Sequence, residues 1–487
     1  MERKVPYARL LLSTKLNDMN AWARKNWSII VIIAITPILL WVTIPILPTF
    51  DDWSATTSPD FKPLLAKEHF LFYGFHWRPF DALTGYIVGK NPQLLYPLFN
   101  HCCVVLGHAV STLLVLRLLT ILKIGSTSRN IATVFFFITP ATMATVLAVD
   151  SINQTYALLL NLIAFLCYIS LEHWKKYVVW TIFIFLSTLF KENGLMWALI
   201  CPILAYGFNF VDYHTLKKDL IAGIGIMVLY ALAVILLPHD ITIYPDYVPD
   251  NMKIIKNIVK FIFSSFVTVD YIYLLHQPNR NLLFAAITLL IAIPFLYQVI
   301  NNDIKIYRQK RICCTVICLF IAVAPHILTV FSMMHAYAGL ALVAILIAIA
   351  FERQSSKWSF VLFFTVAVAI DFHLWHESLK SGLVGKEMAM KAIQKTGKPV
   401  KNVRVIIIDD DYPKLSSFCV IPYEAFGWGL AAQYETNYKW PDIVQDTTIE
   451  RSVTAVADAY TLGYKLLDKR LCDCVWIVDH KDIEVIR

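Results

Sequence analysis

Apolar residues run for about 20 positions at a time along the first three quarters of the chain, separated by short polar and basic segments. A helix of that length crosses roughly 30 Å of hydrocarbon. The pattern therefore predicts an α-helical polytopic membrane protein, with eleven spans near residues 28–48, 94–119, 130–148, 154–171, 177–190, 195–211, 219–237, 281–300, 313–331, 336–351 and 358–375. The two short runs flanking Lys191 read either as separate spans or as one broken helix or re-entrant hairpin. The first run, Trp27 to Leu47, follows Arg3, Lys4, Arg9, Lys15, Arg24 and Lys25. It is too long for a signal peptide and no small-residue cleavage site follows, so it is expected to be retained.

Short basic segments at Lys123 and Arg129, Lys175 and Lys176, Lys217 and Lys218, Lys305 to Arg311, and Arg353 to Lys357 fall on alternate sides of the spans. The positive-inside rule assigns them, and the N-terminal segment 1–26, to the cytoplasm. Eleven spans then leave the C-terminal tail outside. Two outer loops, 49–93 and 238–280, are too long to be simple connectors. Phe61 to Phe75 in the first and Met252 to Phe266 in the second read as amphipathic helices on the outer leaflet, the latter with Lys253, Lys256 and Lys260 at helical spacing. Beyond the helical domain 27–378, charge rises and apolar runs shorten. Val403 to Ile408 and Val475 to Val478 read as strands and Ile449 to Leu467 as a helix, predicting a small extracytoplasmic α/β domain in 379–487.

Composition agrees with a bilayer as solvent: 58% of the 487 residues are hydrophobic and only 16% charged. The net charge of +8 sits mostly in the cytoplasmic loops, so topology accounts for it without a nucleic acid. Of ten cysteines, seven lie in or beside apolar runs. Cys419, Cys472 and Cys474 lie in the tail, where an oxidising compartment permits Cys419 to pair with either of the others. No zinc-type spacing, phosphate-cradling glycine loop or serine nucleophile elbow is present.

Polar residues that interrupt apolar surroundings are the candidates for chemistry. Asp51 and Asp52 stand side by side at the outer end of the first span, where a partly buried carboxylate can deprotonate or orient a hydroxyl; acidic residues also simply end helices there. His76-Trp77-Arg78-Pro79-Phe80 follows, and Asn100, His101 and His108 lie on the second span. Arg78 offers a planar fork for a phosphate or a snorkelling charge for headgroups, and the histidines suit interhelical hydrogen bonds. Lys191 and Glu192 break a hydrophobic stretch, and as adjacent residues they are expected to reach different partners. Asp150 with Asn153, Arg280, and His335 with Tyr337 sit at helix ends on the same outer side as Asp51. Asp409 to Asp411 ends a predicted strand without the spacing of a calcium loop.

Together, FDDW (50–53), WRPF (77–80), the stretch from Asn91 to His108 and FKENGL (190–195) resemble the GT-C superfamily of membrane glycosyltransferases, over roughly residues 25 to 375. Within it, the length and outer C-terminal domain are similar to bacterial O-antigen glucosyltransferases. The resemblance implies inverting transfer of a sugar, such as a hexose, from a polyprenyl-phosphate donor to a hydroxyl of a surface polysaccharide or lipid-linked glycan. It places this at the outer face of the bacterial inner membrane, with Asp51 or Asp52 as base. Arg78, Lys191, Arg280 and His335 are then the donor-phosphate candidates, and His76, Asn100, His101, Asp150 and Glu192 the acceptor or supporting residues. No cofactor or metal ligand set is implied, although some members of the superfamily use a divalent cation. The alternative classes are a transporter or flippase, or a non-enzymatic assembly partner, for lipid-linked saccharides. The absence of an internal repeat and the outward bias of the polar residues favour the transferase.

Overall fold

The computed structural model describes residues 22–23, 25–49, 52, 72–73, 76–237, 249–267, 306–329, 331–352, 358–400, 402–408, 426, 429–436, 442–444, 455–479 and 482–487. Asp51, Arg280, Asp409 to Asp411, Cys419 and the 281–300 run lie outside these residues.

The described chain is dominated by helices. In order these are α1 (Trp27–Thr43), α2 (Pro79–Lys90), α3 (Pro92–Leu95), α4 (Leu98–Ile121), α5 (Ser126–Ile138), α6 (Pro140–Val146), α7 (Ile152–Ser170), α8 (His173–Phe190), α9 (Trp197–Gly207), α10 (Tyr213–Leu236), α11 (Asn251–Ile262), α12 (Ile306–Leu328), α13 (Tyr337–Phe351) and α14 (Trp358–Thr396). Five helical segments among the described residues are long and apolar enough to cross a membrane: Leu98–Ile121, Ile152–Ser170, Tyr213–Leu236, Gln309–Leu328 and Met333–Phe351. Their burial sorts them. The segment containing α13 is 89% buried and forms the centre of the bundle, whereas α10 is only 22% buried. Ile221, Leu229, Ile235 and Leu236 on α10 are each more than 60% exposed, a surface that water would not tolerate and lipid requires. The chain is a helical membrane protein.

Three local departures from the sequence pattern have simple causes. The apolar run at 130–148 is divided into α5 and α6, because Pro140 opens α6 and holds Thr139 in an extended conformation. Phe72–Tyr73 (β1), at the end of the segment expected to be an amphipathic helix, pairs antiparallel with His76–Trp77 (β2). Aromatic residues flanking Gly74 favour extended chain over helix. Finally, α14 does not stop near residue 375 or at 379; it is one unbroken helix of 39 residues that ends at Thr396, inside the tail.

The tail folds as a four-stranded sheet in the order β4-β3-β5-β6, comprising β3 (Asn402–Ile407), β4 (Asp442–Val444), β5 (Cys474–Asp479) and β6 (Asp482–Ile486). The β4–β3 and β3–β5 pairs are parallel and β5–β6 is antiparallel. Helix α15 (Leu430–Glu435) and helix α16 (Val456–Asp468) accompany it. Alternating side chains serve opposite faces. Ile406, Val475, Ile477 and Ile486 pack on α16 through Ala459 and Leu466. Val403, Val405, Trp476 and Val478 pack on Met388, Ala389 and Ala392 of α14, and share that core with Val88, Tyr96 and Val149 of the membrane domain. Cys472 and Cys474 are buried free thiols.

The two ends of the bundle differ. At one, Arg129 meets Lys25 and Asn26, Lys176 meets Asp219, and Lys310 meets Asn209. At the other, where α1, α8 and α12 terminate and α7 begins, the candidate residues for chemistry converge.

Candidate functional site

The site is assembled from two of the motifs singled out in the sequence. Arg78 grips Glu192 with both prongs of its guanidinium, Nε to Oε1 at 2.9 Å and Nη2 to Oε2 at 2.8 Å. Ring packing fixes the flanks of this pair: Phe80 lies 4.5 Å from Phe190, and Trp77 packs on Phe185 and Tyr230. WRPF and FKENGL therefore close on each other, aromatic on aromatic and cation on anion.

Local backbone explains why Lys191 and Glu192 point to different partners. Helix α8 ends at Phe190, Lys191 is extended at φ −154° and ψ 135°, and a 3-10 turn runs from Glu192 to Met196. Gly194 makes that turn possible, since a Cβ there would stand 2.2 Å from Ser187 Oγ. Lys191 is 6% exposed. Burial and the neighbouring Arg78 push its ammonium down to about 8, with Glu192, Asp150 and Asp81 opposing the shift.

Asp81, in the first turn of α2, completes the cluster. Its Oδ2 accepts a hydrogen bond from Asn153 Nδ2 at 3.0 Å. Burial lifts its carboxyl to about 7 against the opposing pull of Arg78, Asn153 and Lys191. Asp150 is likewise raised by burial, while Lys191, Asp52 and Arg78 act to lower it. Two cations and several carboxyl groups thus share one poorly solvated space, the setting in which protonation states separate into acid and base roles.

Asp52 borders this space and organises the chain around it. It is 8% exposed. One oxygen accepts Thr49 N–H at 2.9 Å and the other accepts Asp150 N–H at 3.1 Å, joining the end of the first span to the turn before α7. Its backbone carbonyl accepts the Tyr96 hydroxyl. Tyr434 of the tail donates to Tyr96 O at 3.0 Å, so two hydrogen bonds link α15 to Asp52.

On the remaining side, His335 stacks on His326 with ring centroids 4.0 Å apart. Ser332 N–H donates to His335 Nδ1 at 3.0 Å, and Asn193 Nδ2 donates to His326 Nε2 at 3.3 Å. Lys191 and Arg78 lie near enough to act electrostatically on the His335 ring.

The structure thus gathers Asp52, Arg78, Asp150, Lys191, Glu192 and His335. His101 is fully buried and donates from Nε2 to Ile46 O at 3.0 Å, tying α4 to the end of the first span. Asn100 is buried on α4, its Oδ1 without a hydrogen-bond partner among the described residues. His76 belongs to β2. Asp81 and His326 were not singled out in the sequence, whereas Tyr96 and Asn193 lie in two of the stretches that carry the resemblance. Asp81 reads there as an ordinary acidic residue in a helix's first turn, and His326 sits inside an apolar run. No group of three His, Cys, Asp or Glu side chains among the described residues is placed to hold a metal ion.

Compared with known family profiles, curated proteins and solved structures, the chain matches none of them.

Proposed function

We propose that the protein is an inverting glycosyltransferase of GT-C type. In this reading it moves a sugar, such as a hexose, from a polyprenyl phosphate to a hydroxyl of a surface polysaccharide or lipid-linked glycan. The observation that carries the reading is the convergence of Arg78 and Lys191 with Asp81 and Asp150 at a single end of an apolar bundle. A lipid-linked donor presents its phosphate at that depth, and fixed cations stabilise the phosphate as it departs. A carboxylate with raised proton affinity accepts the proton of the attacking hydroxyl near neutral pH. The acceptor oxygen bonds to the anomeric carbon from the face opposite the leaving phosphate, whose C–O bond breaks with both electrons, and the configuration inverts.

Asp51 remains a candidate base and Asp81 joins it. Asp52, holding the Thr49 and Asp150 backbone amides, braces the end of the first span against the turn before α7. The clustering of charge at one end supports a transferase over a transporter, whose site belongs near the bilayer midplane. The proposal includes eleven spans, a cytoplasmic N-terminus and an extracytoplasmic tail in a bacterial inner membrane, which agrees with the basic residues at the opposite end of the bundle. Mass spectrometry of surface polysaccharide from cells with and without the gene tests it. The expected result is loss of one hexose mass per acceptor repeat; identical glycans would overturn the reading.

A further inference from the structure

Helix α11 has three faces, and each meets a different medium. At about 100° per residue, Asn257, Phe261, Ile254 and Ile258 share one side. Asn257 is 2% exposed and donates to Ile327 O at 3.0 Å and Thr329 O at 3.2 Å. Phe261 packs on Phe331, which in turn packs on His335. The helix is thereby fastened to the chain immediately after His326. On the far side Met252, Ile255, Val259 and Ile262 are exposed, a continuous apolar stripe on a membrane protein. Between the two, within an arc of roughly 60°, stand Lys253, Lys256 and Lys260. Burial, with Lys256 and Lys253 close by, pushes the Lys260 ammonium below its ordinary value.

A helix that merely anchored the protein would need only the stripe and a solvated basic face. Here the basic flank lies between the exposed apolar stripe and the side that Phe261 and Phe331 join to His335. Resting on the glycosyltransferase reading, we infer that α11 is the lateral port for the donor, where Lys253, Lys256 and Lys260 bind the phosphate of a long-chain isoprenoid phosphate whose tail lies along the apolar stripe. The phosphate then moves past the stacked histidines toward Lys191 and Arg78. The ligand class is a single-phosphate isoprenoid lipid. Bulk anionic phospholipid shares the charge but has no reason to be led from the stripe to the His326–His335 end.

The test measures binding of geranylgeranyl phosphate to the purified full-length protein in a non-ionic detergent, for the wild type and for K253Q/K256Q/K260Q. A lysine near anionic lipid is worth about fivefold in affinity, so the triple variant should bind about a hundredfold more weakly. It should also show a flatter salt dependence. The K253R/K256R/K260R variant should retain binding, which separates lost charge from lost folding. Equal binding by the wild type and the glutamine variant would overturn the port while leaving the glycosyltransferase reading intact. Competition by phosphatidylglycerol as strong as by the isoprenoid phosphate would also overturn it, leaving α11 an ordinary headgroup anchor. A wild type that binds no isoprenoid phosphate would remove the function on which the port rests.

Discussion

Arg78 and Glu192 meet through two parallel hydrogen bonds across 114 residues of chain. Their side chains are 13% and 33% exposed, so solvent screens the pair only in part. Arg78→Lys keeps the charge but loses the fork, and Glu192→Gln keeps the shape but leaves the guanidinium without its carboxylate. Each should destabilise the protein by roughly 1–2 kcal/mol, discounted for the exposed Glu192. Each should also lower sugar transfer at least tenfold. Thermal unfolding in detergent and a transfer assay with a polyprenyl-phosphate sugar read the two effects separately.

Asp81 sets a pH dependence whose sign can be worked out. Its folded pKa of about 7 lies above the ordinary 3.8. Between those values the folded state holds more protons than the unfolded one, so this group's contribution makes stability fall as pH rises from about 4 to 7. Asp81→Asn should flatten that part of the profile and, relative to the wild type, be more stable at pH 8 than at pH 5. Transfer by the wild type should rise through pH 7 as the carboxylate forms, and the variant should lose both the rise and most of the rate. Melting temperature and rate, measured for both proteins from pH 4.5 to 8.5, decide it.

Asp52 and Asp51 should separate in kind. Asp52→Ala releases the Thr49 and Asp150 amides together, so a drop of roughly 2–3 kcal/mol in stability is expected alongside lost transfer. Asp51→Asn should lose transfer while the melting temperature stays within a degree or two. An unchanged transfer rate in Asp51→Asn would leave Asp81 as the sole base among the two.

Asp219 tests the opposite end. It is fully buried and accepts from Lys176 Nζ at 2.6 Å, Tyr177 Oη at 2.6 Å and the Tyr168 hydroxyl. Asp219→Leu leaves Lys176, 11% exposed, without its anion, and should cost roughly 3–5 kcal/mol. The folded yield from detergent extracts should fall sharply, while whatever protein remains folded should bind isoprenoid phosphate with wild-type affinity.

Legibility in the sequence followed the physics of each feature. Among the described residues helices lie at the apolar runs, because a lipid-solvated helix needs little beyond composition and length. The β3 and β5 strands were readable from runs rich in valine and isoleucine, broken only by Arg404 and Trp476. Arg78 and Lys191 stood out because charges in apolar surroundings are costly, but the choice of Glu192 as Arg78's partner is tertiary and no local pattern carries it. Asp81 was hidden by its position, since an acidic residue just after a helix-opening proline is what any helix start offers. His108 was read as an interhelical hydrogen-bonder, and its two ring nitrogens do meet Tyr337 Oη and Phe137 O, each at 3.1 Å. The persistence of α14 past residue 375 was missed because polarity was taken as the end of a span, whereas the helix needs only a new apolar partner, and the sheet supplies one.

That shared core between the tail and Val88, Tyr96 and Val149 has a consequence for biogenesis. The central strand β5 comes from the last 14 residues of the chain. The surface that buries Val88 and Tyr96 cannot close until that strand has been made and lies beside them. Until then Asp52 lacks the bracing that reaches it from Tyr434 through Tyr96. The bundle thus stays incomplete through most of its own synthesis, and Asp52 gains that bracing only once the tail has folded.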